Sequence, residues 1–390
     1  MKRAARTTCL SIGIIAWNEQ AGIASTLDSL FRQSIFAELS QRGSTCEVIC
    51  VANGCTDRTP VIASEVFDRQ ARSHPHAGCF STRVANLAER GKINAWNQFV
   101  HTLSARESRF LLLMDADILI HRPDTLWNML RALETDIQAN VSVDRPCKEI
   151  LFKEHKSFRE RLSLAASQGT LAADAQLCGQ LYCIRAEIAR NIYLPKDLAA
   201  CEDGFIKALV CTDSLTHPIK PGRICIAGEA EHTFEAYTSL SAVFKNQKRQ
   251  MIGQTIVHIL VDDYLKALPL SERLRLAQRL RENDQADPLW LKRLISEHLA
   301  RTRFFWRLYP GLPGQRFRAL GKLSPLRRLL CFPAAAAGSL VALVSSFMAY
   351  KSLKGGSTDY WPRAQRLGMK AHDSQRPRAW ELIPTNPNQE

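Results

Sequence analysis

The sequence predicts an α/β fold: a mostly parallel sheet flanked by helices, followed by a basic helical C-terminal region. Two observations carry this. Short apolar runs alternate with amphipathic helical patterns over the first 230 residues. That order builds a parallel sheet covered by helices. Polar clusters follow directly on three of the runs, at Asn18-Glu19, Asn53 to Asp57 and Asp115 to Asp117. Such sheets bind ligands beyond the carboxyl ends of their strands.

Leu10 to Trp17 reads as the first strand, and Ile23, Leu27, Leu30 and Phe31 then share one helical face. Cys46 to Ala52 is the second strand. Thr59-Pro60 opens a helix, with Thr59 as N-cap and Pro60 at the first helical position. Ser81 to Asn86 reads as a short third strand, Gly91 to Leu103 as a helix, and Phe110 to Met114 as the central strand. Pro123 to Leu133 is helical, with Leu126, Leu130 and Leu133 in register. Beyond about residue 235 the pattern turns helical and basic. Leu329 to Tyr350 is 22 residues without a charge, long enough to cross a bilayer. It is rich in Ala and Ser and holds Pro333, so we expect a transmembrane or membrane-associated helix. The expected organisation is a ligand-binding catalytic domain over 1–235, a basic helical region over 236–328, the apolar helix 329–350 and a polar tail 351–390, anchored by Trp361.

At 390 residues the chain can bury a full core. Its net charge is +14, and Arg301 to Arg328 carries eight basic residues and no acid. A basic run beside an apolar stretch points to an anionic membrane surface rather than nucleic acid. Twelve cysteines form no CxxC pair. They read as small buried hydrophobes in a reducing compartment rather than disulfides or zinc ligands. The N-terminal apolar run is short and enters the polar Asn18-Glu19, so it reads as a strand, not a signal peptide, with a cytoplasmic start.

No GxGxxG follows the first strand, which argues against a dinucleotide site. Gly91-Lys92 imitates the end of a P-loop, yet Asn86 and Ile93 stand where Gly and Ser or Thr are needed. Asp115 and Asp117 are an i, i+2 pair at a strand end. In a strand both would face one way and could reach one hard cation or one sugar hydroxyl. Mg²⁺ or Mn²⁺ prefers one or two carboxylates completed by phosphate oxygens and water. The plainer alternative has Asp117 capping a turn and Asp115 solvated.

Context alters that balance. The segments IIAWNEQAGIASTLDSL, VICVANGCTDRTP, GKINAWNQ, LLLMDADIL, CGQLYCIRAE and CEDGFIKAL occur in this order over about residues 10–210. Together they resemble the family-2 glycosyltransferases of the GT-A (Rossmann-like) fold. The resemblance implies donor contacts from Asn18, Glu19, Asn53, Asp57, Lys92, Asp115 and Arg249. It also implies metal contact from Asp115 and Asp117, an acceptor side at Gly179 and Gln180, and a catalytic base at Asp203 beside Glu202. The family's usual Asp-Asp-Gly-Ser-x-Asp is here Ala52-Asn53-Gly54-Cys55-Thr56-Asp57, which puts a uracil preference in doubt. The Gln-x-x-Arg-Trp of processive members is Asn246 to Gln250, keeping only Arg249, which argues against a processive synthase. His232 is a third metal ligand only by analogy; a structural histidine is the plainer reading.

The expected activity is a metal-dependent, inverting transfer from a nucleotide diphosphate sugar to a glycan or lipid-linked acceptor. Its expected place is the cytoplasmic face of a membrane, without nucleic acid. One alternative is a nucleotidyltransferase, which would need a basic, glycine-rich loop after the first strand; Ala16 to Gly22 has no Lys or Arg. The other is a non-catalytic membrane scaffold of the same fold.

Overall fold

The computed structural model describes residues 8–157, 160, 176–198, 201–235, 240–302, 305, 317, 320–321 and 325–356. Trp361 and most of the basic run Arg301 to Arg328 lie outside them. Two compact units form, one within Met1–Leu194 and Ile206–Ala236, the other within Pro195–Phe205 and Tyr237–Ala364.

The first unit is built on seven strands: β1 (Thr8–Ala16), β2 (Thr45–Asn53), β3 (Phe80–Leu87), β4 (Phe110–Asp115), β5 (Val141–Lys148), β6 (Leu181–Arg185) and β7 (Ile224–Phe234). Their order across the sheet is β3-β2-β1-β4-β6-β5-β7. β1 pairs in parallel with β2 and β4, β2 with β3 and β5 with β7. Only the pairings of β6 with β4 and β5 are antiparallel. The mostly parallel sheet is thus as expected. The order reverses between β1 and its neighbours, which opens a crevice at the carboxyl ends of β1 and β4.

Five helices precede β5: α1 (Ile23–Phe31), α2 (Ile35–Gln41), α3 (Thr59–Ser73), α4 (Lys92–Gln98) and α5 (Thr125–Thr135). Leu10, Ile12 and Ile14 alternate along β1, so they share one sheet face. They join Ile23, Leu27, Leu30 and Phe31 of α1 in the core. The other face carries Ser11 and Gly13. Phe99, in a π-helical turn that ends α4, lies over Gly13. A Cβ at Gly13 would stand 2.6 Å from the Phe99 ring. We therefore expect Gly13→Ala to cost about 1–3 kcal/mol through forced repacking. Urea unfolding checks this, and an unmoved midpoint would count against it.

Two expectations change. Thr59 is the first helical residue of α3, not its N-cap. Asp57 does the capping work two residues earlier: its Oδ1 accepts the Thr59 N–H at 3.0 Å and hydroxyl at 2.5 Å. An Asp side chain reaching two residues on is an Asx-type turn, which competes with simple N-capping. The strand also ends at Asp115, and Asp117 lies in the turn beyond it. Strand geometry therefore does not place the two aspartates on one face.

After β6 come α6 (Ala186–Arg190) and α7 (Glu202–Cys211). The second unit adds α8 (Leu240–His258), α9 (Leu270–Arg273), α10 (Leu276–Ala286), α11 (Trp290–Arg301) and α12 (Pro325–Lys354). The apolar run is indeed helical, within the 30 residues of α12. Yet among the described residues no helix is long and apolar enough to cross a membrane.

Candidate active site

The carboxyl edge of the sheet is knitted by side chains. Asn18 takes the left-handed conformation, φ 54°, at the end of β1, which Asn tolerates better than most residues. Its Oδ1 accepts the Thr56 N–H at 2.7 Å and its Nδ2 donates to Thr56 Oγ1 at 3.0 Å. The Glu19 N–H donates to Thr59 Oγ1 at 2.6 Å, and the Gln20 N–H to Asp57 Oδ2 at 3.2 Å. The loops after β1 and β2 are thereby one body.

Asn53 is buried at the end of β2. Its Nδ2 donates to the Ala16 carbonyl at 2.9 Å, and its Oδ1 accepts the Gly91 N–H at 2.9 Å. Both ends of the amide are engaged by backbone, so Asn53 organises the edge. A carboxylate could not donate to Ala16, which gives the Asn a physical reason. Gly91, at φ +143°, takes a conformation that side chains rarely adopt, and it delivers the chain into α4. Asn94 turns back to the Glu89 carbonyl at 3.1 Å.

Lys92 is the first residue of α4. Its Nζ lies 2.8 Å from Asp115 Oδ1 and 2.9 Å from Oδ2, and donates to the Gly179 carbonyl at 3.1 Å. Both partners are largely shielded, with side-chain exposures of 14% and 15%, where an ion pair is screened less than at the surface. The Asp115 N–H donates to the Gln180 carbonyl at 2.8 Å. Thr26 of α1 donates to the Ala116 carbonyl at 2.9 Å, fixing the turn between the aspartates. Asp117 is exposed, and among the described residues it has no hydrogen bond or ion pair. Lys92, Asp115, Gly179 and Gln180 are thus brought together, with Asp117 in the turn that follows Asp115.

His232 is fully buried on β7. Its Nδ1–H donates to Asp144 Oδ2 at 2.7 Å, and its Nε2 lies 3.4 Å from Gln180 Oε1. It props Gln180 from behind and is not open to ligation, in keeping with the plainer reading of this histidine. Asp144 was not foreseen, nor was Arg90, whose guanidinium stacks 3.7 Å from the Trp17 ring centroid. Neither sits in a local motif. Trp17, as an aromatic at a strand end, was the one available signal.

Glu202 and Asp203 lie in the first turn of α7, in the part of that helix that belongs to the second unit, and Arg249 lies on α8 of the same unit. Glu202 is buried, and Asp203 Oδ1 accepts the Gly204 N–H at 2.7 Å. Cys201 precedes them at φ 83°, a strained backbone that marks functional turns. Its Sγ contacts the Gln250 carbonyl at 3.8 Å. Burial, then the Asp203 and Glu202 carboxylates, push its thiol up to about 12, so it stays uncharged. The eleven described cysteines are free.

A shielded Lys–Asp pair beside an exposed carboxylate at a sheet edge suits binding of an anionic donor. Residues 11–182 match the model of glycosyl transferase family 2. Over that span the chain is similar to the family-2 glycosyltransferases. The fold around it is a seven-stranded, mostly parallel sheet between helices. The chain is similar to residues 1–349 of TarS from S. aureus, at 15% identity over 90% of this chain and 92% of that one, with a TM-score of 0.41. It is also similar to glucosyl-3-phosphoglycerate synthase from Mycobacterium tuberculosis, in complex with Mn²⁺, UDP-glucose and phosphoglyceric acid, at 16% identity over 64% and 79% of the chains, with a TM-score of 0.41. No curated protein sequence matches the chain.

Proposed function

We propose that the enzyme binds a nucleotide diphosphate sugar at the carboxyl edge of β1, β2 and β4, and transfers the sugar with inversion to the hydroxyl of a glycan or lipid-linked acceptor. The observation that supports this is the shielded Lys92–Asp115 ion pair at the end of β4, which also holds the Gly179 carbonyl, with the exposed Asp117 in the turn two residues on. Lys92 presents positive charge where a leaving diphosphate would gather negative charge. Asp115 holds that ammonium in place. Gly179 and Gln180 set the rim through their carbonyls. Asp203 removes the acceptor proton as general base, and Glu202 supports it. Arg249 contacts diphosphate.

The residues fit Mg²⁺ or Mn²⁺. Asp117 is an exposed hard-oxygen ligand among the described residues, Asp115 a second that already shares its charge with Lys92, and phosphate oxygens complete such shells. Bound there, the metal would neutralise charge developing on the leaving group. Among the described residues no cluster of three His, Cys, Asp or Glu side chains forms, so the metal would depend on the donor for its remaining ligands.

The test is Asp117→Ala. Mn²⁺-dependent turnover of nucleotide sugars should fall about 10²-fold or more, while unfolding midpoints stay unchanged because the side chain is exposed. A screen over UDP-, GDP- and dTDP-sugars identifies the donor first. Near-normal turnover in the variant would remove Asp117 from the mechanism.

A further inference from the structure

Helix α12 presents its side chains inside out. Most of the side it buries is small or polar, with one leucine: Ser345 is 0% exposed, and Ser346, Ala349 and Leu353 are buried with it. The large apolar side chains point the other way. Leu329 is 72% exposed, Leu340 62% and Phe347 46%, with Leu343, Val344 and Met348 also exposed. Positions 340, 343, 344, 347 and 348 are spaced in threes and fours, so they form one continuous face. A helix packed only within its own unit would bury Phe347 and expose the serines, because burying apolar area is what stabilises packing. A contiguous exposed apolar face of this kind marks an interaction surface.

Charge selects the partner. Pro325–Lys354 contains no Asp or Glu. Exposed cations stand at both ends of the face, Arg328 at one and Lys351 and Lys354 at the other. The Lys351 Nζ lies 5.9 Å from the Phe347 ring centroid, so charge and apolar surface adjoin. A second copy laid on this face, parallel or antiparallel, would set cation against cation with no acid to offset it. An anionic lipid surface complements both features: phosphates for the ends, the acyl boundary for the leucines and phenylalanines.

We propose that α12 lies in the plane of an anionic bilayer surface, with its apolar face in the headgroup–acyl boundary, as an in-plane anchor. This does not depend on the donor reading above.

The experiment is vesicle flotation of the full-length protein, using phosphatidylcholine alone and phosphatidylcholine with phosphatidylglycerol. The protein should float with the anionic vesicles, and less so as salt rises. Leu340→Ser with Phe347→Ser should weaken binding about tenfold or more, with unfolding midpoint and donor turnover in vesicle-free buffer unchanged. Three results would overturn the proposal: no flotation with either vesicle, full binding by the double variant, or a homodimer that the double variant dissolves while no lipid binds. Donor turnover is read separately, so loss of that activity in the unaltered chain bears on the transfer reading alone.

Discussion

Asp203→Asn should reduce kcat for sugar transfer by about 10²–10⁴-fold, the range a positioned general base contributes. Donor binding and stability should hardly change. The substitution keeps the shape of the side chain and an oxygen able to accept the Gly204 N–H, now at 2.7 Å. What it removes is the capacity to take the acceptor's proton. The backbone gives a further reason to expect a sharp effect. Cys201 is held at φ 83° immediately before the pair, and Glu202 is buried, so the turn fixes where Asp203 begins. Single-turnover kinetics with a saturating donor separates chemistry from binding. Binding without turnover in the unaltered chain, with acceptors supplied, would favour the scaffold alternative. Turnover near normal in Asp203→Asn would instead leave the enzyme intact and remove Asp203 as its base.

What the sequence disclosed follows from how local each signal is. β1, β2 and β4 are unbroken apolar runs buried on both faces, so they could be read directly. β5 and β7 could not. β5 holds Arg145 and Pro146, and its register with β7 shifts between Val143 and Arg145. β7 carries Glu229 at φ 56°. Bulged, mixed strands lose the period that reveals strands. At the site, Asp115 and Asp117 were legible as a short motif, but their unlike environments were not. The Lys92 that neutralises Asp115 arrives from 23 residues away. Asn53 shows the same limit. Its residue type was noticed as a departure from the family pattern, but its role rests on Ala16 and Gly91, 37 and 38 residues distant. The apolar run of α12 was legible as a helix, while its direction of facing depended on tertiary packing.

His232→Ala should destabilise the first unit by about 1–3 kcal/mol, because it strands the buried Asp144 carboxylate that the ring hydrogen-bonds. Both side chains are 0% exposed, and the contact is 2.7 Å. Asp144 has little to fall back on: its Oδ1 is buried without a partner among the described residues, and it occupies the irregular step in the β5–β7 ladder. The alanine also leaves a cavity where the ring packed. Asp144→Asn should cost less, since its amide oxygen can still accept from Nδ1 and no charge is buried. Combining His232→Ala with Asp144→Ala should cost less than the two single changes summed, since neither charge is then left alone. Urea unfolding of the three variants measures this, and a loss under about 1 kcal/mol for His232→Ala would refute the stranded-charge argument. The consequence reaches the site through one residue. His232 backs the Gln180 side chain at 3.4 Å, and the Gln180 carbonyl holds the Asp115 N–H at 2.8 Å. Loosening the pair therefore loosens the strand end that aims Asp115 at Lys92. Where His232→Ala remains folded, donor affinity should fall along with stability.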